Sequence, residues 1–345
     1  MRHEPSDRHC GCTAGAQHQG RGRLRSAVTL WVVVACLLPG VALAGKHGAP
    51  VRIGVLTVSW GPPPGVVGLI EGLVALGYRE NEDFVIGVRF TRGDSSVLPA
   101  VARELVRDGV DILFCLGETV AKAAQQATTT HPIVFSVVGD PVGQGLIQSY
   151  ARPGGNITGV ADLNLELSAK RLQLFTEVLP GLQRVLFPYH AHNEHQAANA
   201  REYRVAAHRL GLVLVEQPLH TLEEARDILA GVQKTDIDGM LAPRDVDLNI
   251  PGLVLDTATR QGIPSMFDAA FYVQHGGLAS YGPSLFASGR QAARLVDKII
   301  KGAHPGEIPV EVDNYFEFVI NLKVAKALGL TIPPMVLYQA DQLLR

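Results

Sequence analysis

The stretch Ile133-Val-Phe-Ser-Val-Val-Gly-Asp-Pro-Val-Gly-Gln-Gly-Leu-Ile-Gln-Ser-Tyr-Ala-Arg-Pro-Gly-Gly-Asn-Ile-Thr-Gly159 decides the fold. It opens as an unbroken apolar run, the pattern of a strand buried on both faces of a parallel sheet. At Gly139-Asp140-Pro141 the run stops, because proline fixes φ and glycine permits a sharp turn. A short helix-length segment is expected next, then the breaker cluster Arg152-Pro-Gly-Gly-Asn156, then a second β-like run from Ile157 to Ala161. In an open α/β sheet, ligands sit outside the carboxyl ends of the strands, and Gly139-Asp140-Pro141 occupies such an end. The stretch therefore reads as part of a ligand cleft followed by the exit from a first lobe.

Upstream, strands and helices alternate. Val51 to Val58 reads as a strand ending at Ser59-Trp60-Gly61, and Gly65 to Gly77 carries apolar residues at helical spacing. Asp83 to Phe90 is a second strand, followed by an amphipathic helix that Ser95 is placed to cap. Asp111 to Leu116 is the third strand, and Gly117-Glu118-Thr119 opens another helix. This order predicts a right-handed, doubly wound parallel sheet.

Downstream the rhythm restarts. Helix 165–179 precedes a strand over Gln183 to Tyr189, which ends in the loop Tyr189-His-Ala-His-Asn-Glu-His195. A helix fills Gln196 to Leu210, and Leu212 to Glu216 is a strand. Thr221 and Glu224 form a capping box for the next helix. Strand 239–242 ends at Pro243-Arg244-Asp245, a helix runs on through Arg260, and strand 263–267 carries Asp268 at its end. Then come a short strand over 276–282, a helix over 285–301, extended segments at 308–312 and 315–320, and a helix over 323–328. The fold class is α/β, with two lobes of one architecture.

The first residues read as an export leader. Arg21, Arg23 and Arg25 precede the apolar run Ala27 to Leu38, which breaks at Pro39-Gly40 ahead of Ala42-Leu43-Ala44. A basic n-region, an apolar h-region and an A-x-A site make a secretory signal peptide over residues 1–44, and the run is too short for a spanning helix. Lipoprotein anchoring at Cys36 ranks lower, since it would strand Leu37 and Leu38 at the mature end. Cleavage leaves only Cys115, inside a core strand, so stability must come from burial rather than disulfides. The net charge of −2 and the lack of a basic patch argue against nucleic acid as a partner.

Five blocks carry a resemblance: Gly139-Asp-Pro-Val142, Ala151-Arg-Pro-Gly-Gly-Asn-Ile-Thr-Gly159, Ala279-Ser-Tyr-Gly282, Gly289-Arg-Gln-Ala-Ala-Arg-Leu-Val296 and Phe318-Val-Ile-Asn-Leu-Lys-Val-Ala-Lys-Ala-Leu-Gly-Leu330. In this order they resemble the ABC transporter substrate-binding protein family whose best-known members bind tryptophan or tyrosine. The resemblance implies a type I periplasmic binding protein: two doubly wound lobes joined by a three-strand hinge, closing on a small molecule and delivering it to an inner-membrane ABC permease. It implies a periplasmic, monomeric protein without enzymatic activity, cofactor or metal. Lobe 1 would take residues 45–160 plus 281–310, and lobe 2 residues 161–280 plus 311–345.

The expected cleft residues follow from the strand ends: Ser59, Trp60, Gly117, Glu118, Thr119, Gly139 and Asp140 from the first lobe, and Tyr189, His190, Asp245 and Asp268 from the second, with Tyr281 near the hinge. Backbone N–H groups after Gly117 and Gly139 suit a carboxylate, the aspartates an ammonium, and Trp60 or Phe267 an aromatic ring. Glu118 and the His190–His195 segment depart from the family pattern, which points to them for specificity.

Other readings have definite residues against them. His190, His192 and His195 fit no zinc motif, and a solvated polar loop explains them more simply. The glycines from 139 to 145 lack the Lys-Ser/Thr of a phosphate loop. Asp140 and Asp268 are placed equally well to cap the segments after them. An exported hydrolase would need a nucleophile elbow that the sequence lacks. A periplasmic sensor that docks on a receptor shares every feature of the importer component, so the sequence leaves both open.

Overall fold

The computed structural model describes residues 48–59, 61, 63–249 and 252–345. The expected leader and the expected cleft residue Trp60 lie outside the described residues. In chain order the elements are β1 (Val51–Thr57), α1 (Pro64–Ala75), β2 (Phe84–Phe90), α2 (Leu98–Arg107), β3 (Ile112–Leu116), α3 (Glu118–Ala127), β4 (Ile133–Val138) and β5 (Ile157–Ala161). Then follow α4 (Ser168–Val178), β6 (Arg184–His190), α5 (Glu194–Leu210), β7 (Val213–Leu219), α6 (Leu222–Gly231), β8 (Gly239–Leu241), α7 (Val246–Asn249), α8 (Leu253–Gln261), β9 (Ser265–Phe267) and α9 (Ala270–Gln274). The chain ends with β10 (Ala279–Pro283), α10 (Leu285–Ile300), β11 (Glu311–Val312), β12 (Phe316–Asn321), α11 (Leu322–Ala327), α12 (Pro334–Gln339) and β13 (Gln342–Leu344).

Two sheets result, ordered β11-β5-β4-β3-β1-β2 and β13-β12-β10-β9-β8-β6-β7. Every pairing is parallel except β10 with β12. The apolar runs are continuous because both faces of each sheet are covered. On β3, Leu113 and Cys115 pack toward α2 and α3, while Ile112 and Phe114 pack toward α1 and α10. On β8 and β9 the same alternation sends Met240 and Phe267 one way, Leu241 and Met266 the other. The chain passes between the sheets after β5, between β10 and α10, and between β11 and β12.

The pass after β10 lays α10 against α1 at a distance only glycine allows. A Cβ on Gly289 would lie 1.9 Å from the Gly65 carbonyl oxygen, and one on Gly68 would lie 2.0 Å from that of Phe286.

Several local expectations need correction. No helix forms after Asp140: Pro141 to Gly145 are turns, and Gly145 sits at φ +68°, outside helical geometry. The residue before α2 is Val97, without a side-chain cap, rather than Ser95. The segment expected to be one helix through Arg260 divides into α7 and α8, and Gly252 before α8 has φ +112°. Helix α5 begins two residues earlier than periodicity indicates. Asn193 caps it by accepting from the Gln196 N–H at 3.2 Å, and Gln196 Oε1 accepts from the His190 N–H at 2.7 Å. The histidine segment is therefore a strand end, a cap and a first helical turn. Thr221 caps α6 as expected, but Glu224 reaches back to the His220 N–H rather than to that of Thr221.

Candidate functional site

A cavity of about 1450 Å³ lies between the carboxyl ends of the two sets of strands. Thr57 to Ser59 after β1, Gly117 after β3 and Gly139 after β4 face His190 after β6, Arg244 and Asp245 after β8, and Asp268 after β9. In each sheet the strand order reverses beside β1 or β6, and crevices form at such switch points. Val137, also on the cavity wall, holds φ +64° where the β4–β5 register shifts. A β-branched residue in the left-handed region is strained, and such strain collects at functional sites.

The most strongly charged part of the wall is built around Arg244, whose side chain is 19% exposed. Its Nε donates to Asp268 Oδ2 at 2.7 Å, and its Nη1 donates to Asp162 Oδ2. Burial works against its charge, but the two carboxylates outweigh burial and hold it above its ordinary value. Asp162 immediately follows β5, so the guanidinium ties the site to the first pass between the sheets. Arg244 Nη2 and Asp268 Oδ1 are buried and unpartnered. Among the described residues seven side-chain polar atoms are so placed, and those of His195, Arg244, Asn249 and Asp268 belong to cavity-lining residues. Buried polar atoms are nearly always paired in native proteins, so their concentration here sets this wall apart as the candidate binding surface.

Beside this cluster, His190 Nδ1 lies 2.8 Å from Asp245 Oδ2. Asp245 Oδ1 accepts from the Leu248 N–H, so the same carboxylate caps α7 and orients the imidazole. On the opposite wall Glu118 opens α3, with Lys122 Nζ 3.7 Å away. Burial raises its carboxyl above the usual range, against the pull of His195 and Lys122. His192 Nε2 and His220 Nδ1 are 3.2 Å apart at the rim. Among the described residues no group of three or more His, Cys, Asp or Glu is arranged to hold a metal ion. An aromatic corner comes from Phe271 and Tyr272 of α9, with Tyr272 stacked on Phe267 at 5.0 Å.

Of the residues named from sequence, Ser59, Gly117, Glu118, Thr119, Gly139, His190, Asp245 and Asp268 line this cavity. Asp140, Tyr189 and Tyr281 are placed elsewhere. Asp140 Oδ1 accepts from the Gly143 N–H at 2.8 Å and holds its own turn. Tyr189 stacks on Phe187 at 5.6 Å, and Tyr281 meets Phe318 edge-on across the β10–β12 pair. Phe267 is fully buried behind Tyr272 and does not reach the cavity. Asn156 is structural: its Nδ2 donates to the Thr128 and His131 carbonyls. Sequence reasoning missed Phe271 and Tyr272, and it missed Asp162 as the partner of Arg244. Their only sequence signal was position just past a strand, which Asp162 shares with many loop residues.

A family model described as ABC transporter substrate binding protein matches residues 64–344. The chain belongs to that family. It is 26% identical over 266 residues, 76% of each chain, to a tyrosine-binding protein of Clostridioides difficile. A solved ABC domain in complex with L-Trp from Streptococcus pneumonia superposes with a TM-score of 0.75 at 26% identity, over 86% of this chain and all of that one. A conserved domain protein from Vibrio cholerae gives 0.76 at 27% identity with the same coverage. The fold is accordingly that of the type I periplasmic binding proteins. Among the described residues no helix is long and apolar enough to cross a membrane.

Proposed function

We propose that this chain is the periplasmic solute-binding component of an ABC importer and that its cleft takes an α-amino acid with an aromatic side chain. One observation carries the reading: Arg244 and Asp268 line the cavity side by side, each with an unmet buried hydrogen-bonding atom of opposite character. A zwitterion presents the complement, with its carboxylate toward Nη2 and its ammonium toward Oδ1. Phe271 and Tyr272 supply a face for a ring. The relatives that bind tyrosine or hold L-Trp support the same solute class.

The cavity exceeds the 300–1,000 Å³ usual for a small-molecule site, so enclosing one amino acid calls for rotation of the lobes about the three connections between the sheets. On this reading lobe 1 takes the chain through β5 together with α10 and β11, and lobe 2 takes β6 to β10 together with the chain from β12 onward, which moves the expected boundaries at 281 and 310 past β10 and β11; residues 1–44 direct export, and a membrane permease receives the solute.

The test is thermal unfolding against the twenty amino acids. A cognate ligand at a hundredfold excess over its Kd stabilises the folded state by about 2.7 kcal/mol. L-Trp or L-Tyr should raise Tm, and a panel without any shift refutes the amino-acid assignment. Loss of uptake of the same solute from cells lacking the chain tests the importer role against the sensor role.

A further inference from the structure

We propose that Arg171, buried behind the cavity wall, is a specificity-determining residue: its charge balances the Asp162–Arg244–Asp268 group and so sets the preference of the cleft for a zwitterionic amino acid over a cationic amine. The inference rests on the amino-acid reading of the cavity and deepens it.

Arg171 lies in α4, is 1% exposed, and is the bulkiest of the fully buried side chains. Its three hydrogen bonds all go to neutral groups. Nε donates to the Tyr281 carbonyl at 2.7 Å, Nη1 to the Tyr203 hydroxyl at 2.7 Å, and Nη2 to Asn164 Oδ1 at 3.0 Å. A guanidinium keeps its charge in a protein, and a buried charge is costly unless an opposite charge compensates it. These partners complete the geometry of the guanidinium without cancelling its charge. The compensation must therefore come from the next groups along.

Those groups are the carboxylates of the cavity wall. The Asn164 N–H donates to Asp162 Oδ1 at 2.9 Å, and Asp162 Oδ2 accepts from Arg244 Nη1. Arg244 Nε in turn donates to Asp268 Oδ2 at 2.7 Å. From the other side, a Cβ on Gly282 would lie 1.9 Å from the Asp268 carbonyl oxygen and 3.5 Å from Arg171 Nη2, so the guanidinium and the Asp268 backbone meet across that glycine. The Tyr203 hydroxyl registers the same grouping. Burial raises it above its ordinary value, the charges of Arg171 and Arg244 oppose the rise, and that of Asp268 adds to it. Asp162 and Asp268 thus carry two negative charges against the two positive ones of Arg171 and Arg244. The neighbouring carboxylates have partners of their own, Asp245 in His190 and Asp313 in Ser288.

Only part of this group meets the solute. Arg244 and Asp268 line the cavity, whereas Arg171, Asn164 and Tyr203 stand behind it. With Arg171 present the group is neutral, and a zwitterion leaves it neutral while meeting both unpaired atoms, Arg244 Nη2 and Asp268 Oδ1. An amine without the carboxylate adds an uncompensated positive charge and leaves Nη2 unmet. Without Arg171 the group carries one negative charge, and the amine restores neutrality. A single charge acting through a partly buried wall changes the affinity for a cation by about tenfold.

The test is calorimetric titration of the chain at pH 7.5 with L-Trp and tryptamine, and with L-Tyr and tyramine, which differ within each pair by the carboxylate. The quantity read is the Kd of the amine divided by that of its amino acid. The native chain should favour the amino acid, and Arg171→Gln should lower the ratio about tenfold. Arg171→Lys keeps the charge and loses the fork, so its ratio should stay within about twofold of native. A merely structural role would weaken both members of a pair alike and leave the ratio unmoved in Arg171→Gln, which overturns the proposal. The same fall in Arg171→Lys as in Arg171→Gln also overturns it, because geometry rather than charge would then be responsible. If Arg171→Gln does not fold, Asn164→Asp decides: a nearly isosteric carboxylate beside Nη2 cancels the guanidinium charge, and an unmoved ratio there refutes the proposal. A native chain that binds neither amino acid refutes the solute reading and this inference with it. A native chain that binds one of them, with variants of unchanged ratio, refutes the inference alone.

Discussion

Replacing Asp313 by Asn should stabilise this protein at neutral pH and leave it nearly unchanged in acid. Asp313 lies in the connection between β11 and β12, is 4% exposed, and donates its backbone N–H to the Ala161 carbonyl at 2.8 Å. Both of its carboxyl oxygens sit close to Ser288 Oγ, at 2.6 and 2.7 Å. A hydroxyl has one proton, so it can donate to only one of them. A protonated carboxyl completes the pair by donating to Oγ from its other oxygen. Burial pushes this group from 3.8 up to about 6, the charge of Asp162 adds to the shift, and Ser288 and Arg244 oppose it. The difference of about two pH units corresponds to about 3 kcal/mol. Because the folded state holds the proton more tightly than the unfolded chain, the contribution is full below about pH 4 and is lost as pH rises through about 6. Asparagine reproduces the donor and acceptor of the neutral acid at every pH. Urea unfolding at pH 7.5 should therefore show Asp313→Asn more stable than the native chain by about 1–3 kcal/mol, with the two equal within about 0.5 kcal/mol near pH 4. A variant destabilised equally at both pH values would refute the reasoning, since it would mean that the native carboxylate is stabilising.

Arg244→Lys keeps the charge but loses the fork that reaches Asp162 and Asp268 together. Calorimetric titration with L-Trp should show affinity reduced at least tenfold. Gly289→Ala places a methyl 1.9 Å from the Gly65 carbonyl oxygen, so α1 and α10 must separate. A loss of about 3 kcal/mol in denaturant unfolding is expected, and a loss below about 0.5 kcal/mol would show that the helices slide apart freely. Cys115 is fully buried and its thiol is pushed up to about 12 by burial. Iodoacetamide at pH 8 should leave it unmodified until the chain unfolds, as mass spectrometry of peptides would register.

Most of the architecture was legible because both sheets are buried on two faces. Runs such as Ile112–Leu116 and Ile133–Val138 have no polar residue to break them except Ser136, and glycine or proline closes each. What failed was local. Asn193-x-x-Gln196 is a cap signature lying within a segment polar enough to resemble loop, and the polar face of α5 hides its start. Strand β13 gives no signal of its own, because Gln342–Leu344 is too short to show a period. In the site, eight of the residues named at strand ends line the cavity, but position cannot say where a side chain points. Tyr189 and Tyr281 alternate away into the core of the second sheet, toward Phe187 and Phe318. Asp140 is consumed by its own turn. Asp162 and Arg244 lie 82 residues apart in sequence, and nothing in local pattern joins them.

That long-range pair carries the strongest mechanistic consequence. A buried guanidinium between two carboxylates is a group of net charge −1, and removing such charges from water is costly unless their geometry and remaining hydrogen bonds are complete. Here they are incomplete, at Nη2 and at Oδ1. Such a cluster gains from a solute that brings one positive group to the aspartate and one negative group to the arginine. It gains less from a neutral sugar, whose hydroxyls offer hydrogen bonds but no charge to pair with either group. Asp162 stands where the chain leaves the first sheet, so on the proposed reading a zwitterion that tightens the guanidinium would also tighten one of the connections between the sheets. On the proposed reading ligand capture and lobe closure would share a single residue, and Asp162→Asn tests the second apart from the residues proposed to touch the solute.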